Sequence, residues 1–182
     1  MRPHNAAMPP DFERFVAAQD GVYEGALQEL RAGRKTGHWI WFVFPQLVGL
    51  GRSEMSRFYG IASLDEARAY LEHPVLGPRL AECVRAVLGT SGLTAEQIFG
   101  SLDAMKVRSS MTLFERAAPD EPLFGKMLEL FYDGARDETT DSMLGLESQP
   151  DLVPAPPWWD ETASGEPMPN WEAVIRAQRL EH

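Results

Sequence analysis

Residues with chemical potential gather in two segments. The first, Thr36–Ala62, reads TGHWIWFVFPQLVGLGRSEMSRFYGIA and sets two Trp, three Phe and one Tyr beside His38, Gln46 and Arg52. Trp39, Trp41 and Tyr59 offer rings on which a planar ligand can stack, and His38 offers a group that exchanges protons near neutral pH. Packing is the competing reading, because buried aromatic rings are ordinary core material. Within the segment, Gly49, Leu50 and Gly51 lead into Arg52 and Ser53. Backbone N–H groups at such a helix start, with Arg52 adding positive charge, suit a phosphate or a carboxylate. The glycine spacing is neither that of a Walker loop nor that of a dinucleotide fingerprint. The plainer reading is a turn followed by a Ser53 N-cap.

The second segment begins at Asp103 and reads DAMKVRSSMTLFERAA. On a helix, Asp103, Lys106 and Ser110 share one stripe, with Arg108 and Ser109 beside it. A Lys one turn from a Ser suggests a Lys-activated Ser nucleophile. The order here is Lys before Ser, the reverse of the Ser-x-x-Lys arrangement. The competing reading is an i,i+3 ion pair of little energetic weight with helix-interior serines. The four histidines, at 4, 38, 73 and 182, form no i,i+4 pair, so no metal site is expected. Cys83 lies among apolar helical positions and reads as a small core residue.

The elements that must position these residues are short helices. Residues 1–10 form a leader ending in Pro9-Pro10, after which Asp11 caps a helix bearing Phe12, Phe15 and Val16. Asp20-Gly21 reads as a break and a new cap. A second helix carries Tyr23, Ala26, Leu27 and Leu30 to a stop at Gly33. Trp39–Phe44 is a continuous apolar run that periodicity cannot resolve; a short helix is preferred, ended by Pro45. Ser63 with Glu66, and Thr94 with Gln97, read as capping boxes. Between them a helix carries Leu64, Ala67, Tyr70 and Leu71 to His73-Pro74, and another covers Leu76–Leu88. The Asp103 helix follows, then one over Leu123–Tyr132 and a last short helix over Thr139–Leu144. No alternating strand pattern appears. The fold class is therefore all-α: a compact single domain of seven or more short helices over residues 11–145.

After Gly145 the chain becomes rich in Pro, acids and Trp, including Trp158-Trp159. It reads as an extended acidic tail over 146–182, with a short final helix from Trp171. The tail carries about half of the net charge of −10. That charge argues against a general polyanion binder, so no nucleic acid is expected as a partner. No apolar run is long enough to span a bilayer, and no membrane association is expected. One cysteine permits no internal disulfide, which fits a cytoplasmic location.

The motifs DFERFVAAQ, HWIWFVFPQLVGLGRSEMSRFYGI, DEARAYLEHPVLGPRL, DAMKVRSSMTLF and FYDGARDETT together resemble a bacterial domain-of-unknown-function family often labelled calpastatin-like. The resemblance runs from about Asp11 to Gly145 and implies a mainly helical single domain. It carries over no catalytic residues. A calpastatin-type inhibitor would be largely disordered with repeated short motifs, whereas this chain has a patterned core and no repeats.

From the residues themselves, the first expectation is a binding module, or a cryptic enzyme, for a small anionic or nucleotide-like ligand. Its pocket would lie between the aromatic stretch and the Lys106 helix. Trp39, Trp41, Gln46, Arg52, Ser53, Tyr59, Lys106, Arg108, Ser109 and Ser110 would line it, with His38 as acid or base and no cofactor. A protein-interaction domain using the acidic Pro/Trp tail is the first alternative, and a nucleotide-linked hydrolase the second.

Overall fold

In the computed structural model the described residues are 10–145, so the expectations for the leader up to residue 9 and for the tail from Leu146 lie outside them. The described chain is all-α, with ten helices: α1 Glu13–Gln19, α2 Tyr23–Arg31, α3 Ile40–Val43, α4 Glu54–Phe58, α5 Leu64–Glu72, α6 Leu76–Leu88, α7 Ala95–Phe99, α8 Ser101–Ala117, α9 Pro122–Tyr132 and α10 Glu138–Met143. Among the described residues, none of these is long and apolar enough to cross a membrane. The nearest thing to a sheet is one parallel bridge between Leu47 and Ile61.

α8 is the axis of the described residues. It packs against α5, α7, α9 and α10 and touches α3. Every residue from Ser109 to Phe114 is buried. A helical stretch covered on all sides belongs at the centre of a core. Around it lie Phe15, Leu27, Leu30, Phe44, Tyr70, Leu80, Val84, Met127 and Leu128, all buried. The α5–α6 corner is tight: at Gly77 any Cβ would meet the Leu71 carbonyl oxygen at 1.9 Å, so only glycine fits the backbone approach.

The local signals act as the side chains dictate. Ser53 accepts the Ser56 N–H, and Thr94 with Gln97 forms a reciprocal capping box. His73 does more than end α5: its Nδ1 accepts the N–H groups of Val75 and Leu76 and so opens α6. Five expectations need correction. Phe12 and not Asp11 is the N-cap of α1, although Asp11 Oδ1 accepts the Glu13 N–H at 3.0 Å. Asp20 ends α1 and does not cap α2, whose N-cap is Val22. At α5, Ser63 accepts the Glu66 N–H, but the Glu66 carboxylate turns to the Ala62 N–H, so the box is not reciprocal. α8 begins at Ser101, two residues early, directly after Gly100. α10 begins at Glu138 because Asp137, through Thr140, is its cap.

Candidate functional site

A cleft of about 510 Å³ opens between the chain segment after α3 and the N-terminal half of α8. Trp41 and Gln46 line it first, then Leu50, Gly51, Arg52, Ser53 and Ser56; α8 contributes Leu102, Met105, Lys106 and Ser109, and the start of α10 contributes Asp137 and Thr139. Six of the residues expected at a pocket are therefore together: Trp41, Gln46, Arg52, Ser53, Lys106 and Ser109.

The segment carrying Arg52 and Ser53 is pinned at its two ends. The Val48 N–H donates to Ile61 O at 2.8 Å, and the Ile61 N–H donates to Gln46 O at 2.9 Å. Gly60 makes this closure possible, since a Cβ there would lie 2.7 Å from the Val48 Cβ. Residues 49–59 thus leave and return at one point and present Arg52 at the cleft. Arg52 is exposed and has no ion-pair partner among the described residues.

Lys106 is held from two directions. Its Nζ donates to Asp103 Oδ1 at 2.8 Å and lies 4.8 Å from the centre of the Trp41 ring. Asp103 is shared, since its Oδ2 pairs with Lys35 Nζ at 2.7 Å. Burial opposes the charge on Asp103, but hydrogen bonds from Lys106 and Lys35 outweigh it and hold the carboxyl below its ordinary range. Lys35 is nearly enclosed, also donates to the Gly37 carbonyl, and sits 5.1 Å from the Trp39 ring. Two Lys–Trp pairs are thus joined through one carboxylate.

Five expected site residues do not line the cleft. Trp39 is 2% exposed, and its Nε1 donates to Glu29 Oε2 at 2.9 Å, which turns the indole into the core against Phe44. Tyr59 packs its ring against Phe15, Phe42 and Phe58. Arg108 donates to the Ala135 and Arg136 carbonyls at 3.0 and 2.7 Å, so it braces the loop after α9. Ser110 is fully buried and its Oγ has no hydrogen-bond partner among the described residues, Lys106 included, so no Lys-activated nucleophile forms there. His38 is exposed and stands outside the lining.

Several contributors were missed. Glu29 Oε2 accepts the N–H groups of Thr36 and Gly37 as well as the Trp39 indole. Burial disfavours its charge, yet these bonds prevail and push its pKa down to about 2. It fixes the turn from which α3 and Trp41 depart, and nothing local in the sequence announces it. Met105, out of phase with the apolar stripe of Val107, Met111 and Phe114, was a readable sign: it and Leu102 are 66% and 77% exposed at the cleft. Asp137 had a sign too, the Asp-x-x-Thr spacing of an N-cap.

The α10 side of the cleft is fastened to α8 by paired forks. Arg116 binds both oxygens of buried Asp141 at 2.8 Å each, and Arg136 binds both oxygens of Glu115. The Thr112 hydroxyl accepts the Asp137 N–H at 2.8 Å. Among the described residues no group of three or more His, Cys, Asp or Glu side chains could hold a metal ion. The arrangement can therefore offer one free guanidinium, one positioned ammonium, hydroxyls and an apolar wall.

Comparison with known proteins agrees with the helical domain. A solved structure, the conserved hypothetical protein Rv1873 from Mycobacterium tuberculosis, is 51% identical with a TM-score of 0.74, and the match covers 76% of this chain and 99% of that one. No curated protein matches the chain. A family model described as "Protein of unknown function (DUF1810)" matches residues 9–144. With most of its length matched in this way, the chain belongs to the DUF1810 family.

Proposed function

We propose that this protein binds a small anionic ligand with a planar or apolar portion in the cleft between residues 41–56 and α8. The observation that carries the reading is the cleft itself, where Arg52, without an ion-pair partner among the described residues, shares a lining with Lys106 and an exposed apolar wall. A volume of about 510 Å³ is of the size that small-molecule sites take. Arg52 supplies a planar fork of donors for a carboxylate or phosphate. The half-buried Trp41 ring, Leu102 and Met105 receive the apolar part. A nucleotide-like molecule is one form of such a ligand, with Trp41 as the stacking surface.

A thermal-shift screen of small aromatic carboxylates and nucleotides tests the reading. A ligand that binds only the folded chain stabilises it by about 2.7 kcal/mol at a hundredfold excess over Kd. At least one ligand should raise Tm in the wild type and lose most of that effect in Arg52→Ala and Lys106→Met. A flat screen, or shifts that both variants keep, contradicts it.

A second reading has an observation of its own. Leu102 and Met105 are the most exposed large apolar side chains of the described residues, at 77% and 66%. They would serve a protein partner at the cleft rim. Under that reading Leu102→Asp abolishes capture of the partner, whereas Arg52→Ala leaves that capture intact.

A further inference from the structure

We infer that the cleft selects a ligand bearing a single carboxylate over one bearing a phosphate, and that Asp137 is the specificity-determining residue. This inference rests on the proposed binding site and narrows its ligand class.

The charges of the site decide the class. Arg52, Lys106 and Asp137 all line the cleft. Behind Lys106, Asp103 is divided between Lys106 and Lys35. Three cations against two carboxylates leave one net positive charge, enough to neutralise one anionic group. A phosphate monoester carries close to two negative charges near neutral pH. The cost of taking an ion out of water rises with the square of its charge, whereas attraction to a fixed site rises only in proportion. A dianion is thus penalised where a monoanion is matched, and its surplus charge meets Asp137.

Asp137 cannot turn away to relieve that conflict. Its Oδ2 accepts the Thr140 N–H at 2.9 Å and the Thr140 hydroxyl at 2.6 Å, because the residue caps α10. Its own N–H is taken by Thr112. The carboxylate of this lining residue is therefore fixed by the helix it starts. Asn caps a helix about as well as Asp, so Asp137→Asn removes the charge and keeps the fold. The apolar wall completes the selection: Trp41, Leu102 and Met105 suit a ring or short hydrocarbon attached to the carboxylate.

The experiment is a calorimetric titration of the full chain with benzoate and with phenyl phosphate, two ligands with the same ring. The wild type should bind benzoate more tightly. In Asp137→Asn the preference should shrink by roughly fivefold, the worth of one charge–charge contact across water. Benzoate affinity should change less, and Arg52→Ala should weaken both ligands. Tighter or equal binding of phenyl phosphate by the wild type overturns the inference while leaving the binding site standing. A preference that Asp137→Asn does not alter removes Asp137 from its role. Failure of both ligands to bind at millimolar concentration overturns the inference and the proposed site together.

Discussion

Two carboxylates settle how the cleft's cations and rings are arranged. Asp103 holds Lys106 on one side and nearly enclosed Lys35 on the other, and Glu29 fixes the turn between α2 and α3. Glu29 also separates two tryptophans that stand two positions apart in the sequence: with its indole bound to Glu29, Trp39 is core, while Trp41 lines the cleft. The pH dependence of stability follows. The folded-state pKa of Glu29 is depressed to about 2. Its contribution is therefore present above the unfolded carboxyl value, and is lost as pH falls through that window toward 2. Glu29→Gln should lower stability at neutral pH by about 1–2 kcal/mol, as expected for weakened hydrogen bonds to a charged acceptor. The difference from wild type should narrow steadily below the ordinary carboxylate range in urea titrations at stepped pH. A variant as stable as wild type at neutral pH would remove Glu29 from this role.

At the scale of elements, the site depends on how α10 is fastened to α8. The fork between Arg116 and Asp141, with Asp141 buried, and the fork between Arg136 and Glu115 tie the cleft's far wall to the central helix. The hydrogen bonds that Arg116 donates to the Asp141 carboxylate raise the pKa of the guanidinium, against the opposing effect of burial. Asp141→Ala should cost about 2–3 kcal/mol, since it leaves a partly enclosed guanidinium without its acceptor. Hydrogen exchange should then quicken first in α10, ahead of α8, whose core contacts remain. Equal loss of protection in both helices would contradict this hierarchy. Most helices were legible because their signals are local: Ser53, Ser63 and Thr94 act within four residues of themselves. The tying of α10 was not legible, because Asp141 and Arg116 meet across 25 positions of sequence. Arg108 misled for the same reason: a cation beside Lys106 reads as an anion contact until the carbonyls of residues 135 and 136 arrive to take it.

At the largest scale, the described residues form a helical body built around α8, and the cleft proposed as the binding site lies at its surface and not at its centre. That division separates the polar residues that share the cleft from those that do not. Arg52, Ser53 and Lys106 lie in the lining together, as their segments suggested. Ser110, one turn from Lys106 in sequence, is sealed in the core because α8 is covered on every side at that level. Nothing in a helical stripe tells where an enclosing neighbour will fall. Cys83 supplies a readout of the whole fold: it is fully buried, and burial above all pushes its thiol up to about 12. Alkylation of Cys83 under native conditions should follow global unfolding and match the exchange of the most protected α8 amides. Fast modification without loss of helical signal would reveal a local opening that the packing of α6 does not allow.

The most direct measurement for the molecule is amide and indole chemical-shift mapping by NMR during titration with benzoate. Binding in the cleft predicts saturable shifts at the Trp41 indole, Arg52, Ser53, Lys106 and Asp137, with Trp39 and Ser110 unmoved. Saturable shifts gathered at another surface, or none at the Trp41–Lys106 pair, would contradict it.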